Sequence, residues 1–598
     1  MISRYPSPQL RLTGKGWSLT ASFLAFAVLA AMRCPENASS QLADVPEANV
    51  QGGGGNGLTA AMIDVTQQPR DTMPRDSVAD LPRATVDAKY VPPTGDTIRV
   101  SANGNLQSAL NRAKPGAVIM LASGATYTGN FILPAKRCGT PWITVRTDVA
   151  DSLLPPEGQR ITPTYAARLA KIATPSSVAA LKTAIPTCGW RLMGLEVTVQ
   201  PSFSSMNYGI VWLGDGGWRD GGETQTSAEK IPADIVLDRV YLHGQTNTSS
   251  MRCLALNSAR TAVVNSWLSD CHAKGFDSQA IAGWNGPGPY LIENNFIEGA
   301  AENLLFGGAD PGIHGLVPSD ITIRRNHFYK DPAWKGKWTV KNLFELKNAQ
   351  RVLIEANVFE NNWADGQSGM AIVIKSQTGN ETGKLLWQGT TDVTFRYNVV
   401  RNSPRAFNLQ AVGEGGSDRH VARVRAENNL FDKIGTFNGT GEDGWLNLLT
   451  HDLRDVKLSH NTFVHNVTGF GIALYLAYAD GGQARNIVVT DNVFTSPAGY
   501  AIFYTEKKVG IESFNAFAGN TWKFQRNIVA GMDPQFAPWH PPGNWYLPTI
   551  ASIGFVNPAL GEYRLGTRTQ YKGRGEGGRD PGVDLARLRS ATDGVVVR

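Results

Sequence analysis

The stretch richest in groups that could do chemistry is VKNLFELKN, residues 340 to 348, followed one repeat later by AIVIKSQ, residues 371 to 377. Side chains alternate across a strand. Placing Phe344 and Leu346 inside sends Lys341, Glu345 and Lys347 outward, and Ile372 and Ile374 inside send Lys375 outward. An amine can take a proton from the carbon beside a carboxylate when neighbouring cations neutralise that carboxylate. Lys347 is the candidate base. Lys341 and Lys375 are the neutralising pair, and their like charges would favour its neutral form. Glu345 opposes this unless it binds a cation or orients a lysine. On its own, a Lys-Glu-Lys pattern on an outward face is ordinary solvated pairing, so its weight depends on what surrounds it.

The same alternation applied to neighbouring strings gives Asn408 and Gln410 in AFNLQA, Asn447 and His451 in WLNLLTH, and Asp277 and Gln279 in DSQAIAG. In ENLLFGG it gives Asn303, with Glu302 at the strand start. The loops GGADPGIHGLVP, YKDPAWKGKW, SQTGNETGKLLWQG and GEGGSDRH bring His314, Asp310, Trp334, Trp338, Trp387 and His420 to the same region. A basic trough walled by indoles suits a long acidic carbohydrate, with lysines on carboxylates and rings against sugar faces. The expected binding set is Asn303, Asn408, Gln410, Trp334, Trp338 and His314. No metal-ligand spacing is recognisable.

These residues are positioned by a repeat. Asn265, Asn294, Asn326, Asn357, Asn398, Asn429, Asn461, Asn492 and Asn527 follow one another at intervals of 29, 32, 31, 41, 31, 32, 31 and 35 residues. Two residues after each comes Trp267, Phe296, Phe328, Phe359, Val400, Phe431, Phe463, Phe494 or Val529. A period near 31 filled with short strands predicts stacked coils that bury apolar residues against one another. The expected fold is all-β: a right-handed parallel β-helix solenoid with an N-terminal capping helix, over residues 95–545. A ladder of interior Asn would satisfy turn backbone groups. In NLQSALNRAKPG, Leu106, Ala109, Leu110 and Ala113 share a helical face, and Pro115-Gly116 stops the helix. Residues 546–598 lose the period and are expected to cap the C-terminal end.

Composition agrees. Gly at 63 and only 18% charged residues argue against a helical protein, and 42% hydrophobic residues suffice for a continuous core. A net charge of +6 suits an acidic partner and falls short of a nucleic-acid-binding composition. Arg4, Arg11 and Lys15 precede an apolar run from Trp17 to Met32, with Ala25 and Ala27 as small residues within it, which predicts an export signal over residues 1–33. A membrane contact is expected only if that segment stays uncleaved. Residues 34–94, Gly-rich at QGGGGNG, are expected to be a flexible linker. Cys138 with Cys188, and Cys253 with Cys271, are candidate disulfides. The expectation is an exported monomer.

With these motifs in place, the chain resembles the pectate-lyase-like superfamily of right-handed β-helices over roughly residues 96 to 545. Segments such as DSQAIAGWNGPGPYLIENNFIEGAAENLLFGGADP, SDITIRRNHFYKDPAW and WTVKNLFELKNAQRVLIEANVFENNW are similar to a group of exported bacterial β-helix proteins. ELKNAQRV is locally similar to the chondroitinase B and alginate lyase family, whose catalytic Lys precedes a Ser or Asn turn as Lys347 does. That resemblance implies an acidic polysaccharide substrate, a lyase reaction, and Ca²⁺ as the one cofactor to test. The family's calcium-holding positions carry Val340 and Asn342 here, and its catalytic Arg has no clean counterpart beyond the neighbouring Lys375. The polygalacturonase-type hydrolases are a second comparison. Ile313-His314-Gly315 and Val373-Ile374-Lys375 stand near their strings, without the paired Asp. Whether the protein is an enzyme stays open. A lyase is favoured over a non-catalytic carbohydrate-binding β-helix and over a hydrolase using Asp277, Asp310 or Glu302.

Overall fold

The computed structural model describes residues 78–596 except 140, 218–224, 378–384, 386, 414–416, 442–443, 451, 468–470, 478–481, 498–500 and 505–507. The expected export segment and His451 lie outside the described residues.

Each coil contributes one strand to each of three long sheets. Sheet 1 has 14 strands, from Thr97–Val100 to Trp522–Gln525, and sheet 2 has 14, from Thr126–Thr128 to Trp545–Leu547. Sheet 3 has 13 strands, beginning at Phe131–Leu133 and running through Ile502–Tyr504, where Lys508–Val509 adds an antiparallel edge. All other pairings in these sheets are parallel and join strands one coil apart, as in Ala349–Glu355 against Thr390–Arg396. This is a parallel β-helix.

The Asn ladder is present and internal, with one change of register. It runs Asn295, Asn326, Asn357, Asn398, Asn429, Asn461, Asn492, Asn527 and Asn544. In Asn357, Nδ2 donates to Asn398 Oδ1 (3.0 Å) and to the Ile323 carbonyl (2.9 Å), and Oδ1 accepts from the Asn326 amide N–H (2.9 Å). The residue ahead of each ladder Asn takes a left-handed conformation, as at Arg325 (φ 57°), Ala356 (φ 58°) and Tyr397 (φ 53°). That conformation costs a side-chain-bearing residue roughly 1–2 kcal/mol, and the amide network that follows offsets it. Asn265 and Asn294, expected in the ladder, occupy this left-handed position instead (φ 53° and 55°). In those two coils the chain is therefore shifted by one residue, Leu268 and Ile297 face the core, and Trp267 and Phe296 stack outside with centroids 3.9 Å apart. Elsewhere the predicted column holds: Phe328, Phe359, Phe431, Phe463 and Phe494 are buried in one continuous core.

Helix Leu106–Arg112 closes the N-terminal end. Asn105 caps it through Ser108 N (2.9 Å), and Leu106, Ala109 and Leu110 enter the core. Gln107 pairs with the edge strand of sheet 3, accepting from Ile132 N (2.8 Å) and donating to Ile132 O (2.9 Å), which blunts an edge that would otherwise template another strand. At the other end, Phe514 and Phe517 of helix Ile511–Ala518 fill the core.

Residues 546–598 do not form that cap. They fold back along sheet 2: Tyr563 Oη donates to Asp432 Oδ1 (2.6 Å), Leu585 and Leu588 pack against Leu430 and Tyr397, and the Arg325 and Arg160 guanidiniums reach Ala591 O (2.6 Å) and Val595 O (2.9 Å). Residues 78–94, expected as linker, are held on sheet 1. Arg83 N donates to Asp320 Oδ1 (2.8 Å), Arg191 donates to Ala88 O and Lys89 O (2.8 Å each), and Val86 packs on Val236 and Ala262. Hydrogen bonds and apolar contact together tie both segments down, and neither carries the repeat that would have announced it. The terminal segments lie on sheets 1 and 2. The outer face of sheet 3 is bordered by the loops 307–318 and 330–341. Both candidate disulfides are formed, with Cα separations of 4.8 Å for Cys138–Cys188 and 5.6 Å for Cys253–Cys271.

Candidate functional site

The strand Asn342–Leu346 sits in sheet 3 between Glu302–Phe306 and Met370–Lys375. Glu345 and Lys347 stand on its outer side because Phe344 and Leu346 fill the core, and Lys375 follows Ile374 outward in the next coil. Glu345 is wholly buried, with Oε1 3.1 Å from Lys375 Nζ and 3.6 Å from Lys347 Nζ. Burial alone would raise its pKa, but the Lys375 and Lys347 ammonium groups outweigh burial and hold it below the usual range. Glu345, expected to oppose the scheme, thus lies between the two lysines.

A second carboxylate completes the cluster. Glu302 is wholly buried, receives Gln279 Nε2 on Oε2 (2.8 Å), and lies 3.8 Å from Lys341 Nζ. Burial, reinforced by the charges of Asp277 and Glu345, pushes its carboxyl up to about 7 against the pull of Lys341 and Lys347. Lys341 Nζ also meets Asp277 Oδ1 at 2.5 Å. Burial would lower its pKa, yet Glu302 and Asp277 outweigh that and hold the ammonium form above its ordinary value. The side chains of Lys341, Lys347 and Lys375 retain 16%, 12% and 14% exposure over carboxylates that retain none. Asp277, more exposed than any of the three lysines, adds a carboxylate at the surface beside Lys341, so the solvent-facing layer is mixed over an anionic one.

Asn303 does not belong here. Where the chain turns from sheet 2 into sheet 3, one corner position points inward together with the residue after it, breaking the two-residue alternation. Ala280, Leu343, Ala371 and Ala406 fill this position in the core. Asn303 is their equivalent: its Nδ2 donates to the Ile297 and Tyr329 carbonyls (2.7 Å each), and its Oδ1 accepts from buried Lys330 Nζ (2.8 Å). The same corner is what turns Glu302 outward. Asn447, also expected outside, pairs in register with core Phe407 and is buried.

Asn408 and Gln410 do face outward, half-buried, in register with Val373 and Lys375. Trp334 is buried against Ala300, Val340 and Trp363, so it pins a loop and offers no sugar platform. Trp338, half-buried, stacks on His272 at 3.9 Å. His314 is exposed beside Trp387, with ring centroids 5.8 Å apart, and Gln388 of that second loop donates to Asp310 (2.8 Å) in the first. A surface recess lined by Phe555, Arg568 and Tyr571 in the C-terminal segment holds no carboxylate and lacks this pairing of charges.

For Ca²⁺, the ligand test is local. Gln279 Oε1 and Asn342 Oδ1 are buried without a hydrogen bond, but Glu345 Oε1 faces Lys375 Nζ (3.1 Å) and Lys347 Nζ (3.6 Å), and Glu302 Oε1 faces Lys341 Nζ (3.8 Å). Ammonium groups thus stand where a hard divalent cation would have to sit, and the residues present do not fit Ca²⁺. Val340 contributes nothing, being buried among Trp334 and Trp363. Sequence reasoning gave Asn342 no role and left Glu302 in a secondary one, because their partnership crosses from one coil to the next.

No protein-family profile matches the chain, and no curated protein matches it. Among solved structures, it is similar to a family 6 alginate lyase at 13% identity, covering 75% of this chain and 53% of the other, with a TM-score of 0.37. A mannuronic-acid-specific family 6 lyase from human gut microbiota gives 13% identity, 75% and 91% coverage, and 0.36. A Yersinia enterocolitica family 28 exopolygalacturonase gives 10% identity, 76% and 79% coverage, and 0.28. The chain thus spans about half the length of the first of these. Likeness at this level says nothing of activity, and the fold reading rests on the three sheets.

Proposed function

We propose that the outer face of sheet 3 binds an acidic polysaccharide and cleaves it by β-elimination at a uronate. The observation that carries this reading is the set of three partly exposed ammonium groups, Lys341, Lys347 and Lys375, held over two buried carboxylates on one open face. Lys375 and Lys341 hold the uronate carboxylate, so that the neighbouring C–H becomes acidic enough to lose its proton. Lys347 takes that proton. The electron pair left on carbon forms the C=C bond as the β C–O bond breaks, and the departing oxygen takes up a proton. Glu345, 3.6 Å away, holds Lys347 in place on this face.

One observation favours a second reading. Glu302, pushed up to about 7, and Glu345, held low, stand on adjacent strands with opposite tendencies to ionise. Carboxyls whose environments separate their pKa values are the usual acid and base of a glycoside hydrolase.

The deciding experiment follows the absorbance of the unsaturated uronate while the purified chain is incubated with a panel of acidic polysaccharides, with and without Ca²⁺. Elimination predicts rising absorbance on one sugar class, and its loss in Lys347→Ala with unfolding unchanged. An active Lys347→Ala variant removes Lys347 from the role of base. New saturated reducing ends that depend on Glu302 move the assignment to hydrolysis. Binding without turnover moves it to a carbohydrate-binding module.

A further inference from the structure

Each carboxylate of the cluster on sheet 3 already has a cation of the chain's own against it. Asp277 Oδ1 meets Lys341 Nζ at 2.5 Å, and the same ammonium faces Glu302 Oε1 at 3.8 Å. Glu345 Oε1 is shared by Lys375 Nζ at 3.1 Å and Lys347 Nζ at 3.6 Å. Arg252, one coil toward the N-terminus and in register with Gln279, adds its charge to Glu302 and Asp277. Four cations thus attend three carboxylates. A Ca²⁺ ion takes about six to eight oxygens, and carboxylates crowd together to supply them. Among the described residues, the one grouping of three His, Cys, Asp or Glu donors within 4.8 Å of one another is Cys138, Cys188 and Asp234, and two of those are joined in a disulfide. Asp277, Glu302 and Glu345 do not draw together that closely.

We infer that this face works without a divalent cation, and that Lys341 is the fixed positive charge in the place such an ion would take. The role given to that charge rests on the proposed reading of the face as a uronate site, whereas the exclusion of the ion rests on the ion pairs alone. The backbone of Lys341 is held from both sides, its N–H donating to Ala301 O (3.2 Å) and its carbonyl accepting from Asn362 Nδ2 (3.2 Å). The sheet therefore places the ammonium. An entering divalent ion would meet like charge from Lys341 and Arg252, and driving Lys341 away would strip a buried carboxylate of its partner. A uronate drawn to Lys341 and Lys375 finds its counter-charge on the chain itself and needs no ion recruited with it.

The test begins with the full chain and Ca²⁺ alone, by calorimetric titration and by thermal unfolding in millimolar Ca²⁺ against a chelator. The expected result is no Ca²⁺ binding that differs between the parent and Glu302→Gln. Saturable binding by the parent that Glu302→Gln abolishes would overturn the inference. Lys341→Met keeps the stem and removes the charge, so Ca²⁺ should raise its unfolding midpoint progressively, while Lys341→Arg stays as indifferent as the parent. A Lys341→Met variant that Ca²⁺ leaves unmoved would show that the ammonium is not what keeps the ion out, and would overturn it too. The parent and Lys341→Arg arms decide even if Lys341→Met does not fold. Short oligouronates are then titrated with and without chelator. Unchanged affinity supports the inference, and a loss of about tenfold or more on chelation overturns it. If no oligouronate binds, the polysaccharide reading falls with the role given to Lys341, and the Ca²⁺ titration alone decides the exclusion of the ion.

Discussion

At the scale of the residue, Glu302 shows most clearly how environment sets function. It is buried, shares its surroundings with Asp277 and Glu345, and ionises near 7 rather than 4.5. A carboxyl whose pKa is raised on folding stabilises the fold fully below its unfolded value, and that stabilisation is lost as pH rises through the folded value. The window here runs from about 4.5 to about 7. Glu302→Gln cannot ionise and should escape the loss. Its thermal unfolding midpoint relative to the parent should therefore rise between about pH 5 and about pH 8, and a difference that is flat or falling would show that Lys341 keeps Glu302 charged throughout. The sequence offered Lys341, Glu345, Lys347 and Lys375 plainly, because all four lie on or directly beside two short strands. It did not offer the pairing of Glu302 with Lys341, whose 3.8 Å separation joins residues of neighbouring coils.

At the scale of the element, the sheet 1 to sheet 2 turn depends on its Asn. Asn398 gives Nδ2 to Ile354 O (2.9 Å) and Asn429 Oδ1 (3.1 Å), and takes the Asn357 amide N–H (2.9 Å) on its own Oδ1. Asn398→Leu leaves these buried partners unpaired, at about 1–3 kcal/mol each. Asn466, which is exposed, makes comparable bonds to Thr436 N and O. Water can replace those, so Asn466→Ala should cost much less. Denaturant midpoints of the two variants make the comparison, and equal losses would mean that burial does not decide the ladder's worth. The ladder was legible because Asn recurs at a near-constant interval. Asn294 is off by one residue because Asn294-Asn295 offers two amides in succession, and Asn265 because Ser266, which carries no amide, takes the ladder position there.

At the scale of the whole molecule, two terminal segments brace a solenoid whose coils otherwise touch only their neighbours. The C-terminal segment spans the coils from Asp432 back to Arg160, and Leu588 is one of its buried anchors, packed on Leu430 and Tyr397. Leu588→Ala removes a buried side chain at about 2–5 kcal/mol. The loss should appear as local release, with faster proteolysis between residues 560 and 584 and an unchanged β-sheet circular dichroism signal. A global loss of that signal would make the segment part of the folding core.

The sequence by itself determined the solenoid, its repeat, the inward Phe column, the helix at its N-terminal end and the lysine-rich strands, because each is written in spacing along the chain. Tertiary structure decided the rest. It turned Asn303 inward and Glu302 outward at a corner that breaks strand alternation, buried Trp334, and laid residues 78–94 along sheet 1 and residues 548–596 along sheet 2. It also set Lys341 against both Asp277 and Glu302. Those outcomes depend on contacts between coils, and contacts across a repeat leave no periodic mark in the residues that make them.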